Sequence, residues 1–223
     1  MSKTLIKVNN ISKTYHLGEV KVPALKNISL TVNQGDFLII CGRNGSGKST
    51  LMRQLALVDR PDKGEIYLNT QEMVKMSSKK RRELRLTQLG YIFQEYALIA
   101  ELTALENVML PAMMLQAAKS CRHRAQSLLE KVDLGDKINN LPSQLSGGEQ
   151  QKVAIARALV NNPEIIFADE PTANLDTTAG HEVLEIFKYL DEQENHTIVM
   201  ITHEADEEKY ANRIIKLKDG RMV

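Results

Sequence analysis

Hydrophobic positions fall into short continuous runs in parts of this chain and into a three-to-four-residue rhythm in others. Residues 5–8 and 28–32 read as strands. Phe37-Leu38-Ile39-Ile40-Cys41 is an unbroken apolar run, the pattern of a strand covered on both faces. A glycine-rich turn follows, then a helix over about residues 48–58, with short strands at 65–68 and 90–93. From about 103 to 160 the pattern turns helical, with Leu105, Val108 and Met109, then Leu128, Leu129 and Val132, recurring at helical spacing. Asn161-Asn162-Pro163 break that stretch. Strands at 165–168, 197–201 and 213–217 surround a helix over 177–190. Strands alternating with helices predict an α/β core with a mainly parallel sheet. The helical stretch forms a lobe over approximately 96–160, inserted in that core, so residues 1–223 read as a single domain of two lobes.

Composition narrows the partners. The formal net charge is +1, so no global field points to nucleic acid or to acidic substrates. Trp is absent and aromatics are 4%, which argues against a base-stacking platform. Cys41 and Cys121 lie far apart and form no metal-ligand spacing, as suits a reducing compartment. The first residues alternate polar and apolar and contain no apolar region of a secretory leader. No apolar run approaches the roughly 18 residues of a spanning helix, so direct membrane insertion is not expected.

Three motifs carry chemistry. Gly42-Arg43-Asn44-Gly45-Ser46-Gly47-Lys48-Ser49-Thr50 fits G-x-x-x-x-G-K-[ST], with a strand before it and a helix after. Its glycines let backbone N–H groups turn toward phosphate oxygens, aided by the positive end of the helix dipole. Lys48 should reach the β- and γ-phosphates of ATP, and the Ser49 hydroxyl should ligate Mg²⁺. Ile165-Ile166-Phe167-Ala168-Asp169-Glu170 ends a buried strand in two acids. Asp169 suits the Mg²⁺ hydration shell, and Glu170 suits a base that orients and deprotonates the attacking water. Leu145-Ser146-Gly147-Gly148-Glu149-Gln150 opens a further helix, with Ser146 as N-cap and a second anion site at the helix start. One ATP should not reach both helix starts within a subunit. A head-to-tail homodimer resolves this, with ATP between Ser146 of one copy and Lys48 of the other.

These motifs, in this order, resemble the nucleotide-binding domain of ATP-binding cassette (ABC) transporters from end to end. The resemblance implies a P-loop NTPase core, an N-terminal antiparallel β part and a helical lobe carrying the signature Leu145–Gln150. It implies that Tyr15 stacks on adenine and that Gln94 contacts Mg²⁺ and the water while linking to the membrane partner. His203 would contact the γ-phosphate. Ala173-Asn174-Leu175-Asp176 would run along the dimer interface, so that Ser146, Gly147, Gly148, Gln150 and Asp176 act on the nucleotide in trans. Residues 68–89, 93–98, 102–108 and 171–176 are similar to the lipoprotein-releasing and macrolide-export ATPases, LolD-like and MacB-like. Arg43-Asn44 stands where that subgroup commonly has Pro-Ser, and Ala173 where glycine is common.

The implied function is ATP hydrolysis that energises export, lipoprotein release or mechanotransmission through separate integral membrane permease subunits. The place implied is the cytoplasmic face of the inner (plasma) membrane, held peripherally. A regulatory ATPase signalling to cell-wall enzymes shares every motif and remains the alternative. Three further features carry expectations. Lys79-Lys80-Arg81-Arg82 with Arg85 reads as a solvated helix face rather than a contact to anionic lipid or a partner. Met109, Met113 and Met114 suit a partner groove and core packing about equally. Tyr96, Leu98, Ile99, Leu102 and Leu105 read as an apolar docking surface or as a seal at the junction between the lobes.

Overall fold

A computed structural model describes residues 3–115 and 117–223, which form two compact units. Residues 3–85 with 195–223 make one, and residues 86–194 the other.

The first unit holds the nucleotide-loop elements. Strands β1 (Thr4–Leu17) and β2 (Val20–Asn33) pair antiparallel as a long hairpin. β4 (Lys63–Leu68) joins β1 antiparallel, and β5 (Gln71–Glu72) follows. β3 (Phe37–Cys41) is buried at every position, as its unbroken apolar run requires. It lies parallel to β8 (Thr197–Thr202) and to β9 (Arg213–Lys218), and β10 (Arg221–Met222) returns antiparallel on β9. The fold class is therefore the expected α/β type, with an antiparallel β part beside a mainly parallel sheet.

Helix α1 (Lys48–Leu55) stops short of the expected residue 58. The reason is a tight C-terminal cap. Val58 N–H donates to Arg53 O at 2.9 Å and Leu57 N–H to Gln54 O at 3.1 Å, with Leu57 at a φ of 58°. This position usually takes glycine. Here α2 (Ser78–Thr87) stabilises it, because the Arg81 guanidinium donates to Leu57 O at 2.9 Å and Arg85 donates to the same carbonyl at 2.8 Å. The basic run is thus not simply a solvated face. Arg81 is 4% exposed, and burial lowers its pKa to about 10.

In the second unit, β6 (Leu89–Ile92) pairs parallel with β7 (Ile165–Asp169). Helices α3 (Ala104–Met113), α4 (Ala118–Lys131) and α5 (Gly147–Leu159) enclose a core that includes Leu105, Val108, Leu129 and Val153. Helix α6 (Thr177–Glu192) follows β7. Two short 3₁₀ turns, Gly135–Lys137 and Pro142–Gln144, interrupt the helical stretch. Leu105 and Met109 belong to the core and Leu98 packs against it, so they are not free to dock a partner. Ile99, Met113 and Met114 remain exposed, at 40, 47 and 65%.

Asn107 organises the turn before α3. It is fully buried, and its Nδ2 donates to the Ile99, Leu102 and Thr103 carbonyls at 3.1, 2.9 and 3.0 Å. Its Oδ1 accepts from Ile99 N–H at 2.8 Å. Asn107→Ala leaves these groups without their partner, and urea denaturation should report a loss of about 3 kcal/mol.

Candidate functional site

β3 delivers the chain to Gly42, and α1 begins at Lys48. Gly47 sits at the cap position with a φ of 103° and offers no side chain to the first amides of α1. A Cβ there would lie 2.5 Å from the Ala24 carbonyl on β2, so only glycine fits. Lys48 is 4% exposed and curls back over the loop, its Nζ donating to Gly42 O at 2.9 Å. The Ser46 hydroxyl is buried and, among the described residues, has no hydrogen-bond partner. An uncapped helix start, an inward lysine and an orphaned buried hydroxyl are the donor set a phosphate group takes.

Tyr15 on β1 lies across from Val22 on β2. Its hydroxyl donates to Asp59 Oδ2 at 3.0 Å, and Lys13 Nζ stands 5.5 Å from the ring centroid. Burial pushes the Asp59 carboxyl up. The Arg60 N–H, the Tyr15 hydroxyl and the Lys13 and Arg53 charges outweigh it and hold the carboxyl below the usual range. The Tyr15 ring is therefore fixed by a charged partner absent from its own motif. The register pairs Cys41 with Thr202, which brings His203, at the end of β8, to the same sheet edge as the phosphate loop. His203 is exposed, with Nε2 3.0 Å from Glu204 Oε1.

In the second unit β7 ends at Asp169, whose Oδ2 accepts from the Tyr91 hydroxyl at 3.2 Å. Glu170 follows with a φ of 47°, a conformation costly for any residue with a Cβ and often found at functional sites. Gln94 is exposed, and its backbone carbonyl accepts from Asn174 Nδ2 at 3.0 Å.

Ser146 caps α5 and Asp176 caps α6, accepting from Glu149 N–H at 3.3 Å and Ala179 N–H at 2.9 Å. A Cβ on Gly148 would lie 2.9 Å from Ala179 Cβ, so the two helix starts pack closely. Ser146, Gly148 and Asp176 line one cleft of about 530 Å³. The Gln150 amide donates to Leu145 O at 3.1 Å. Sequence reasoning missed Tyr91, Asp59 and Arg157. Only Arg157 left a trace, as a charge in the otherwise apolar run 153–160.

The phosphate loop at the end of a buried parallel strand defines a P-loop nucleotide-binding protein of α/β class. The sequence model of the family described as "ABC transporter" matches residues 25–173, well over half the chain. The chain belongs to the ABC transporter family, as an ATP-hydrolysing ATP-binding domain. It is 53% identical over 220 residues to an uncharacterized ABC transporter ATP-binding protein of Methanocaldococcus jannaschii, covering 98% of each. It is 46% identical over 219 residues to the macrolide export ATP-binding/permease protein MacB of Syntrophobacter fumaroxidans. That match covers 97% of this chain but only 31% of MacB. Among solved structures, a dimeric post-hydrolysis state of the cassette MJ0796 bound to ADP and Pi superposes with a TM-score of 0.90. It is 40% identical and covers 98% of both chains.

The start of α5 should be acid-sensitive. The Lys137 ammonium and the Ser146 N–H hold the Glu149 carboxyl below its ordinary value of 4.5. A depressed carboxyl contributes stability above its unfolded pKa and loses it as pH falls toward the folded value. Thermal melts of Glu149→Gln should lie below wild type near neutral pH, and the gap should close as pH drops below 4.5.

Proposed function

We propose that this chain is the ATP-hydrolysing subunit of a membrane export or mechanotransmission machine and works as a head-to-tail homodimer. One observation carries the reading: the chain has two kinds of helix start suited to an anion, one uncapped at Lys48 and one at Ser146, beside Asp176. In the proposed dimer, ATP lies between the phosphate loop of one copy and Ser146, Gly147 and Gly148 of the other. The relatives support it. MJ0796 forms dimeric cassettes, and MacB joins an ATP-binding part, matched by this chain, to a permease.

The loop amides from Gly42 to Thr50 and Lys48 bind the phosphates, while Tyr15 carries the adenine. Glu170 orients the attacking water and accepts its proton; Gln94 and His203 contact the water and the γ-phosphate. The Ser49 hydroxyl and the Asp169 carboxylate are hard oxygen donors of the kind Mg²⁺ takes. Mg²⁺, when bound, neutralises charge on the phosphate oxygens. Among the described residues no helix is long and apolar enough to cross a membrane. A peripheral place on the cytoplasmic face, against separate permease subunits, follows from this reading.

Glu170→Gln keeps the shape of the side chain and removes the base. ATP turnover should fall at least a hundredfold while ATP binding persists, and size exclusion with Mg-ATP should show a stable dimer. Turnover near the wild-type rate would remove Glu170 from the catalytic role. For the permease contact, the exposed Ile99 is the position to charge, because Leu98 packs against the helical core. Ile99→Glu should leave basal ATPase near normal and abolish copurification with the membrane partner. A variant that still copurifies would exclude Ile99 from that contact.

A further inference from the structure

The stretch from Gln94 to Ala97 adopts a backbone that its own residues disfavour. Tyr96 and Ala97 have φ values of 56° and 51°, and neither is glycine. Two consecutive left-handed residues persist only where the surroundings hold them. Four hydrogen bonds do so, all within residues 86–194. Arg157, in the last turn of α5, donates from Nη1 to Ala97 O at 2.5 Å and from Nη2 to Tyr96 O at 2.7 Å. Asn174 Nδ2 donates to Gln94 O at 3.0 Å. The Tyr96 hydroxyl reaches the Asn174 carbonyl at 3.5 Å and lies 2.9 Å from where a Cβ on Gly147 would stand.

The arginine is placed for geometry rather than charge pairing. Burial lowers its pKa, and among the described residues no carboxylate forms an ion pair with it. Partly burying a cation without a counter-charge is costly. What it supplies is a planar fork, whose two nitrogens meet two successive carbonyls that the left-handed turn presents side by side. Lysine carries the same charge but not the fork.

We infer that Arg157 and Asn174 are positioning residues for ATP hydrolysis, holding Gln94 in fixed relation to the start of the signature helix. Ser146 and Arg157 stand at opposite ends of one rigid helix, about 16 Å apart along its axis. A shift of α5 at Ser146 therefore reaches the Tyr96–Ala97 carbonyls through the fork, and Gln94 through the same short loop. The inference rests on the head-to-tail reading, in which Ser146 faces one nucleotide of the dimer and Gln94 serves the other. Each subunit then carries its own link between the two ATP sites.

The test uses the full chain and measures ATPase rate against ATP concentration. Wild type should be sigmoidal, with a Hill coefficient above 1. Arg157→Lys and Asn174→Ala should each lower kcat about tenfold and leave the ATP concentration at half-maximal rate within about twofold. Both should bring the Hill coefficient to about 1, and the double variant should be no slower than the slower single. A loss of stability alone would not abolish cooperativity while sparing ATP affinity. Asn174 is exposed, so Asn174→Ala decides the matter if the Arg157 variants fail to fold. A folded Asn174→Ala with wild-type kcat and Hill coefficient overturns the positioning role, as do additive losses. A hyperbolic wild type overturns the link between sites. The dimer reading is judged separately by Glu170→Gln: no ATP-dependent dimer there sinks that reading, whereas a normal dimer with unchanged Asn174→Ala kinetics sinks only this one.

Discussion

The first amides of α1 have no side chain to cap them, because Gly47 occupies the cap position with a φ of 103° and Lys48 turns inward behind it. Uncapped amides at a helix start are strong donors with a partial positive charge, and they are costly to bury without a partner. Much of the first unit serves this one arrangement. β3 must be covered on both faces to bring the chain straight to Gly42, and the Ala24 carbonyl must pack where a side chain on Gly47 would stand. Ser46 adds a buried hydroxyl with no partner among the described residues. Together these groups are directed at an anion with several oxygens.

Within the helical unit α4 has Ala117 at its cap position and no side-chain cap, but the starts of α3, α5 and α6 are built differently. α3 and α5 carry capping boxes, Thr103 with Glu106 and Ser146 with Glu149, and α6 is capped by Asp176. A carboxylate in the first turn of α5 stabilises the helix but would repel a phosphate arriving at the same end. The Lys137 ammonium forms an ion pair with Glu149 and offsets much of that charge. Acid, lysine and serine thus keep the signature helix capped in the free subunit while leaving its end near neutral. The close packing of Gly148 on Ala179 then brings the Asp176 cap beside it.

Cations in this protein do more than meet carboxylates. Arg81 is buried and holds the carbonyls of Leu57 and Asp59, the latter at 2.5 Å. Arg157 does the same for Tyr96 and Ala97. In each case the guanidinium fixes a left-handed residue that is not glycine, and glycine there would add freedom to the unfolded chain. Leu57 ends the phosphate-loop helix, and Tyr96 follows Gln94, so both forks rigidify segments next to the candidate chemistry.

The α/β class, the phosphate loop, the acidic strand end and the signature helix start were legible in the sequence by itself. Each depends on local physics: an unbroken apolar run makes a buried strand, glycines free a backbone to turn, and a serine caps the helix it precedes. The early end of α1 was not legible, since it depends on Arg81 and Arg85 reaching Leu57 from another helix. Nor was the division of the apolar segment after Gln94 into core-packed Leu98 and exposed Ile99, because periodicity reads poorly where no regular element exists. The partners of the acids and of the Gln94 loop were invisible for the same reason. Tyr91 meets Asp169 across 78 residues, Arg157 meets Tyr96 across 61, and Asn174 meets Gln94 across 80. Hydrophobic pattern and motif spacing report neighbours within a turn or a strand; contacts over such separations exist only once the chain has folded.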